Sequence, residues 1–153
     1  MYAIRPTPGT LSLEDADVIS QSKHGWDFLE QAITLWRLVD TARADRIEAI
    51  TKRISLTAPD DELRIETEDL RELVRLLAGV EDALVATETV DRHWRVPADR
   101  LEQLAKQVPA MDLKTERSLA SKTNALGEVM SNAIFLRNFL SNAVEAGCVV
   151  VLG

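Results

Sequence analysis

Little in this sequence invites a catalytic reading. Its 153 residues hold one cysteine, Cys148, so no disulfide can form within the chain. That fits a reducing compartment, and a cytoplasmic protein is expected. Only six glycines are present, and they are scattered singly. They form neither G-x-G-x-x-G nor G-x-x-x-x-G-K, so no backbone cradle for phosphates is offered, and there is no G-x-S-x-G elbow. The two histidines, His24 and His93, have Gln21 and Val90 three residues before them. The Glu-x-x-His spacing of a dinuclear bundle is therefore missing. With no Cys-x-x-Cys either, no metal site and no cofactor are expected. The longest apolar run, "CVVVL" at 148–152, is far short of the ~20 residues of a membrane span. The N-terminus "MYAIRPTPGT" has neither the basic nor the apolar region of a secretory signal.

Positive charge is also in short supply. Eighteen Lys and Arg face 25 Asp and Glu, for a net charge of −7 and a pI near 4.9. Such a surface repels phosphate backbones and anionic lipid, and admits basic proteins. No nucleic-acid or membrane partner is expected.

What is present is helical periodicity. The spacing of Trp26, Leu29, Ile33 and Trp36, continued more thinly by Ile47, Ile50 and Ile54, predicts one long helix over 25–53. Thr67 reads as an N-cap, with Glu68 and Asp69 at the positive end of the dipole. Leu70, Leu73, Val74, Leu77 and Leu84 carry that helix to about 91, with Gly79 inside it as a point of close helix contact. A shorter helix is expected over 97–107. A last one over 113–146 is apolar on most sides, hence central, and ended by Gly147. Ser12 and Asp15 suggest a further short helix before Gly25. Alternation at Ile54/Leu56 and Leu63/Ile65 around "APDD" predicts a small β-hairpin. "CVVVL" reads as a short buried strand whose partner could be 54–57, 63–66 or Tyr2–Ile4. The fold class is thus mainly α, a bundle of four to five helices with a small β element (a hairpin near 54–66 and a short C-terminal strand). One domain, 1–153, is expected.

Several residues are tested as chemistry. His93, with Asp91, Arg92, Trp94 and Arg95, could form an anion corner or an oriented base. The simpler account is a helix C-terminus whose basic groups complement the dipole. His24 and Gly25, at a helix start, are likewise read as structural before they are read as functional. Cys148 reads as a buried, inert thiol. Some of Asn124, Asn132, Asn138 and Asn142 must find polar partners if the last helix is central.

The densest feature is "PDDELRIETEDLRE", seven carboxylates and two arginines in residues 59–72. Turn chemistry and helix start explain part of it, and Glu68–Arg71 and Glu72–Arg75 can pair at i, i+3. The remainder suits a one-signed docking surface for a basic partner, formed by Asp60, Asp61, Glu62, Glu66, Glu68, Asp69 and Glu72. The leading functional expectation is a non-enzymatic protein-binding module. An immunity- or antitoxin-type inhibitor, acting by occlusion, would fit. The alternative is a small-molecule or catalytic helical domain with a pocket near His93 and Trp94. A homodimer is a third form of association the chain allows.

Overall fold

The computed structural model describes residues 1–5, 18–57, 63–93, 97, 99 and 119–152. Within them lie four strands, β1 (Tyr2–Ile4), β2 (Val18–Gln21), β3 (Leu63–Ile65) and β4 (Val149–Leu152). The helices are α1 (Gly25–Val39), α2 (Thr41–Thr57), α3 (Thr67–Leu77), α4 (Val80–Ala86) and α5 (Leu119–Glu145). The protein is mainly α with a small antiparallel sheet, as the periodicity indicates.

The predicted helix over 25–53 is in fact two. The apolar stripe Leu29, Ile33, Trp36 reaches Asp40 next, where burial of a carboxylate would be costly. The chain leaves helical geometry there, at φ −151°, ψ 89°. Asp40 instead accepts the backbone N–H of Arg43 at 3.0 Å, the hydrogen bond of an N-cap, and α2 starts. The stripe then resumes at Ala44, Ile47, Ile50 and Ile54, all buried.

Residues 54–57 are the last turn of α2, so the predicted hairpin does not form. Ile54 belongs to the i, i+3/i+4 series of α2, and its alternation with Leu56 is coincidental. The other arm, β3, is a strand, but it pairs with β4.

The helix expected over 67–91 is likewise divided. Gly79 adopts φ 82°, left-handed geometry that glycine takes without penalty, and a Cβ there would meet open space. It marks a break rather than a close contact. Thr67 makes no capping bond; Glu66 holds the N-cap position, and its carbonyl accepts from Leu70 at 2.9 Å. One side chain joins both breaks. Arg43 lies 4.2 Å over the Trp36 ring, pairs with Asp40 at 3.6 Å, and donates to the Ala78 carbonyl at 3.2 Å.

α4 ends in a Schellman arrangement. Thr89 N–H donates to Leu84 O at 2.9 Å and Glu88 N–H to Val85 O at 3.0 Å. The left-handed position in this motif, usually glycine, is Glu88 at φ 55°. A side chain there costs about 1–2 kcal/mol. α5 ends the same way at Gly147, φ 67°, with Cys148 N–H donating to Ala143 O at 2.8 Å. The sequence-predicted stop holds.

The sheet order is β2-β1-β4-β3. β4 is central, with Val150 opposite Ala3 on one side and Ile65 on the other. Two of the three partners open to it are therefore used, and 54–57 is not. Val150 and Cys148 face the helices; Val149 and Val151 join Ile4 and Tyr2 on the opposite face. Burial on both faces explains an apolar run without alternation. Val18–Gln21, expected within a short helix, is strand β2, paired with β1 and carrying β-branched Val18 and Ile19. The Ser12–Asp15 start, all of the expected 97–107 helix except Pro97 and Asp99, and residues 113–118 of the expected last helix lie outside the described residues.

α1 packs on α5 and α2, and α3 on α5. Their shared core includes Leu29, Leu35, Leu73, Leu84, Leu136 and Leu140, all with at most 1% exposure. α5 is not buried all round: Ser131, Phe135, Asn138 and Asn142 form an exposed stripe. Asn138 and Asn142 thus meet solvent, while Asn132 donates to Gln31 of α1 at 3.0 Å.

Candidate functional site

Of the seven carboxylates expected to dock a partner, Asp60, Asp61 and Glu62 lie outside the described residues. The other four are on or beside α3, and arginines hold three of them. Arg46 of α2 reaches Glu72 at 2.6 Å. Arg53, two turns further along α2, pairs with Asp69. Arg64 of β3 pairs with Glu66 at 2.7 Å. Arg75 adds a looser contact to Glu72 at 3.9 Å. Among the described residues the Glu68–Arg71 pair does not form, and Glu68 is exposed with no ion pair. The acidic helix start is therefore stitched to α2, and one of its four carboxylates stays open to a partner.

The stitching continues onto α1. Arg37 pairs with Asp45 at 2.9 Å and with Glu48, and Lys52 pairs with Glu48 at 2.7 Å. The Lys52 hydrogen bond and charge, with Arg37, hold the Glu48 carboxyl below the usual range. These groups rim a groove of about 620 Å³ between α1 and α2, floored by Trp26 and Ile33. Arg37, Glu48 and Lys52 are paired with one another there, and Glu30 also lines the groove. α4 is tied to α5 by Arg137 and Glu81 at 2.5 Å.

Around His93 the geometry is that of a turn. The Asp91 carboxylate accepts the His93 backbone N–H at 2.7 Å. The imidazole is exposed, and Trp94 and Arg95 lie outside the described residues. A cavity of about 380 Å³ lies beside this turn, lined by Val85, Glu88, Val90, Asp91, Arg92, Pro97 and Asp99. Cys148 is buried, as its place beside an apolar run leads one to expect.

A third cavity, of about 410 Å³, lies where no motif marks the sequence. Gln21, Ser22, Lys23, His24 and Phe28 line it from one side, and Ser131, Asn132 and Phe135 from α5. Phe135 is 52% exposed and meets Phe28 edge-on, with ring centroids 6.0 Å apart. Ser22 is 3% exposed, and its hydroxyl has no hydrogen-bond partner among the described residues. A buried hydroxyl without a partner costs about 1–3 kcal/mol. The α1 N-terminus at His24 has no side-chain cap. Among the described residues no group of three or more His, Cys, Asp or Glu side chains could hold a metal ion. No described helix is long and apolar enough to cross a membrane.

Compared with known proteins, the chain matches no family model, no curated protein and no solved structure.

Proposed function

We propose that the chain is a non-enzymatic protein-binding module that docks a basic partner protein at and just before the start of α3. Glu68 supplies the described part of the surface, and Asp60, Asp61 and Glu62 extend it in sequence. The observation that supports this reading is the division among the α3 carboxylates. Asp69 and Glu72 tie the helix to α2 through Arg53 and Arg46, while Glu68, in the first turn, is exposed and has no ion pair among the described residues. A charge presented on a fixed helix costs little ordering on association. The chain's net charge of −7 steers a basic partner toward it. Occlusion of such a partner, as by an immunity- or antitoxin-type inhibitor, is the form of action this surface suits.

The test is a quantitative pull-down with the tagged chain at low and moderate salt. It is run beside a variant carrying Asp60→Lys, Asp61→Lys and Glu68→Lys. A stoichiometric basic protein should be retained by the unaltered chain and released by salt. The variant should lose it, with association at low salt slowed about tenfold or more and the circular dichroism spectrum unchanged. Equal retention by the variant would overturn the reading.

One observation favours a second reading, a small-molecule site beside His93. Glu88 keeps an unfavourable left-handed backbone while lining the cavity next to Asp91 and Arg92, and such strain collects at functional positions.

A further inference from the structure

We infer that the groove between α1 and α2 receives an arginine side chain of the basic partner, with its stem over the apolar floor and its guanidinium at Trp26 and Glu30. The inference takes the existence of a basic partner from the docking reading and adds a second point of contact.

The charges lining the groove balance except for one. Glu48 gives one carboxylate oxygen to Lys52 Nζ at 2.7 Å and the other to Arg37. The other terminal nitrogen of Arg37 reaches Asp45 at 2.9 Å. Two cations thus meet two carboxylates, and at such close range they repel an incoming cation only weakly. Glu30 lines the same groove, is exposed, and has no ion pair among the described residues. The charge left over is a carboxylate, so the occupant that complements the groove is a cation.

The floor asks for an apolar stem. Trp26 is partly buried and Ile33 buried, and both line the groove of about 620 Å³. Thr51 lies there too, with its hydroxyl donating to the Ile47 carbonyl at 2.9 Å, so it makes no unmet polar demand. Trp26, Glu30 and Ile33 follow one another at i, i+4 and i+7, along one face of α1. An indole and a carboxylate one helical turn apart suit arginine better than lysine. The planar guanidinium stacks on an aromatic ring and offers two parallel N–H donors to a carboxylate.

The groove also lies beside the docking surface. α1 and α2 run antiparallel: Trp26 shares the groove with Thr51 and Lys52, and Arg37 meets Asp45 near the other end. α2 and α3 are antiparallel as well, with Arg53 on Asp69 and Arg46 on Glu72. The groove and the start of α3 therefore flank the same last turns of α2, where the consecutive Lys52 and Arg53 serve the two sides. A partner that meets Glu68 with one basic group can seat a second in the groove, and two contacts on one platform bind more tightly than either alone.

The probe is α-acetyl-arginine amide, titrated into the full chain and followed by amide and indole NMR. The citrulline analogue keeps the shape without the charge, and the lysine analogue keeps the charge without the planar fork. Saturable shifts should appear at residues 26–37 and 48–52 and at the Trp26 indole N–H, with both analogues weaker. Glu30→Gln, at an exposed position, should weaken arginine binding about two- to fivefold. Asp82→Asn, which removes an exposed carboxylate from α4, should change nothing. In the pull-down, Glu30→Gln should retain less of the basic partner with an unchanged circular dichroism spectrum. The inference is overturned if the arginine probe gives no saturable shift, or if either analogue binds as well. It is equally overturned if Glu30→Gln leaves probe or partner binding unchanged. A partner released by Glu30→Gln but held by the Asp60, Asp61 and Glu68 lysine variant contradicts the docking surface and leaves the groove standing. Capture of no basic protein at either salt overturns both.

Discussion

The flank where α2 meets α3 and the corner where α1 meets α5 treat their polar groups in opposite ways. On the flank, nearly every charge has a partner. Arg46, Arg53 and Arg37 each reach a carboxylate on another helix or a turn away. At the corner, a helix starts without a cap and a buried hydroxyl has no partner. The flank carries the conspicuous sequence and the corner an unremarkable "QSKHG". Density of charge in a sequence therefore says little about whether the charge is free. A group that is already satisfied stabilises the fold, and a group left unsatisfied has something to gain from a ligand.

The largest expected effect would break both regions at once. Leu73 is fully buried between the flank and α5. Leu73→Ala should cost about 2–5 kcal/mol, read by chemical denaturation. A cost well under this range would mean that α3 is not anchored on the common core.

A second prediction sharpens the contrast between helix ends. The end of α4 is fully hydrogen-bonded but seats Glu88 in left-handed backbone, whereas the start of α1 has sound backbone and no cap. Glu88→Gly should raise stability by about 1 kcal/mol, since it relieves the backbone without removing a cap. Destabilisation would show that the Glu88 side chain contributes more than its conformation costs.

A third prediction concerns pH. Glu48 has its carboxyl lowered by the Lys52 hydrogen bond and charge and by Arg37. A carboxyl that is more acidic when folded adds stability above its ordinary pKa of about 4.5 and loses it as pH falls through the lowered folded value. Glu48→Gln should therefore flatten the acid side of the stability profile and leave its shape near neutrality unchanged. An acid limb identical to that of the parent chain would contradict the placement of Lys52 and Arg37.

Much of the fold is legible in the sequence because it is local. The α3 stripe, the stop at Gly147 and the strand at 149–152 follow from spacing and residue type over a few positions. The breaks were harder. Asp40 falls on the i+4 position after Trp36, so the apolar stripe runs through it in phase and suggests one helix. The signal was a carboxylate on the buried stripe. β2 escaped because a capping-like Ser12–Asp15 pattern outweighed Val18 and Ile19, whose pairing with β1 is long-range. The site was least legible. Arg53 and Arg46 lie 16 and 26 residues before the carboxylates they hold, and no pattern along the chain couples them. Ser22 offers no sequence signal, since the lack of a partner is a property of the folded surroundings.

The proposed docking surface depends on the division among the α3 carboxylates, with Asp69 paired to α2 and Glu68 without an ion pair among the described residues. A pair of double-mutant cycles tests it most directly, using Arg53→Met with Asp69→Asn in one and with Glu68→Gln in the other. The helix-dipole contribution of each carboxylate cancels within its cycle. The account predicts a coupling of about 0.2–1 kcal/mol for Arg53 with Asp69, reduced by salt, and none for Arg53 with Glu68. Equal coupling to both carboxylates, or coupling to Glu68 alone, would contradict it.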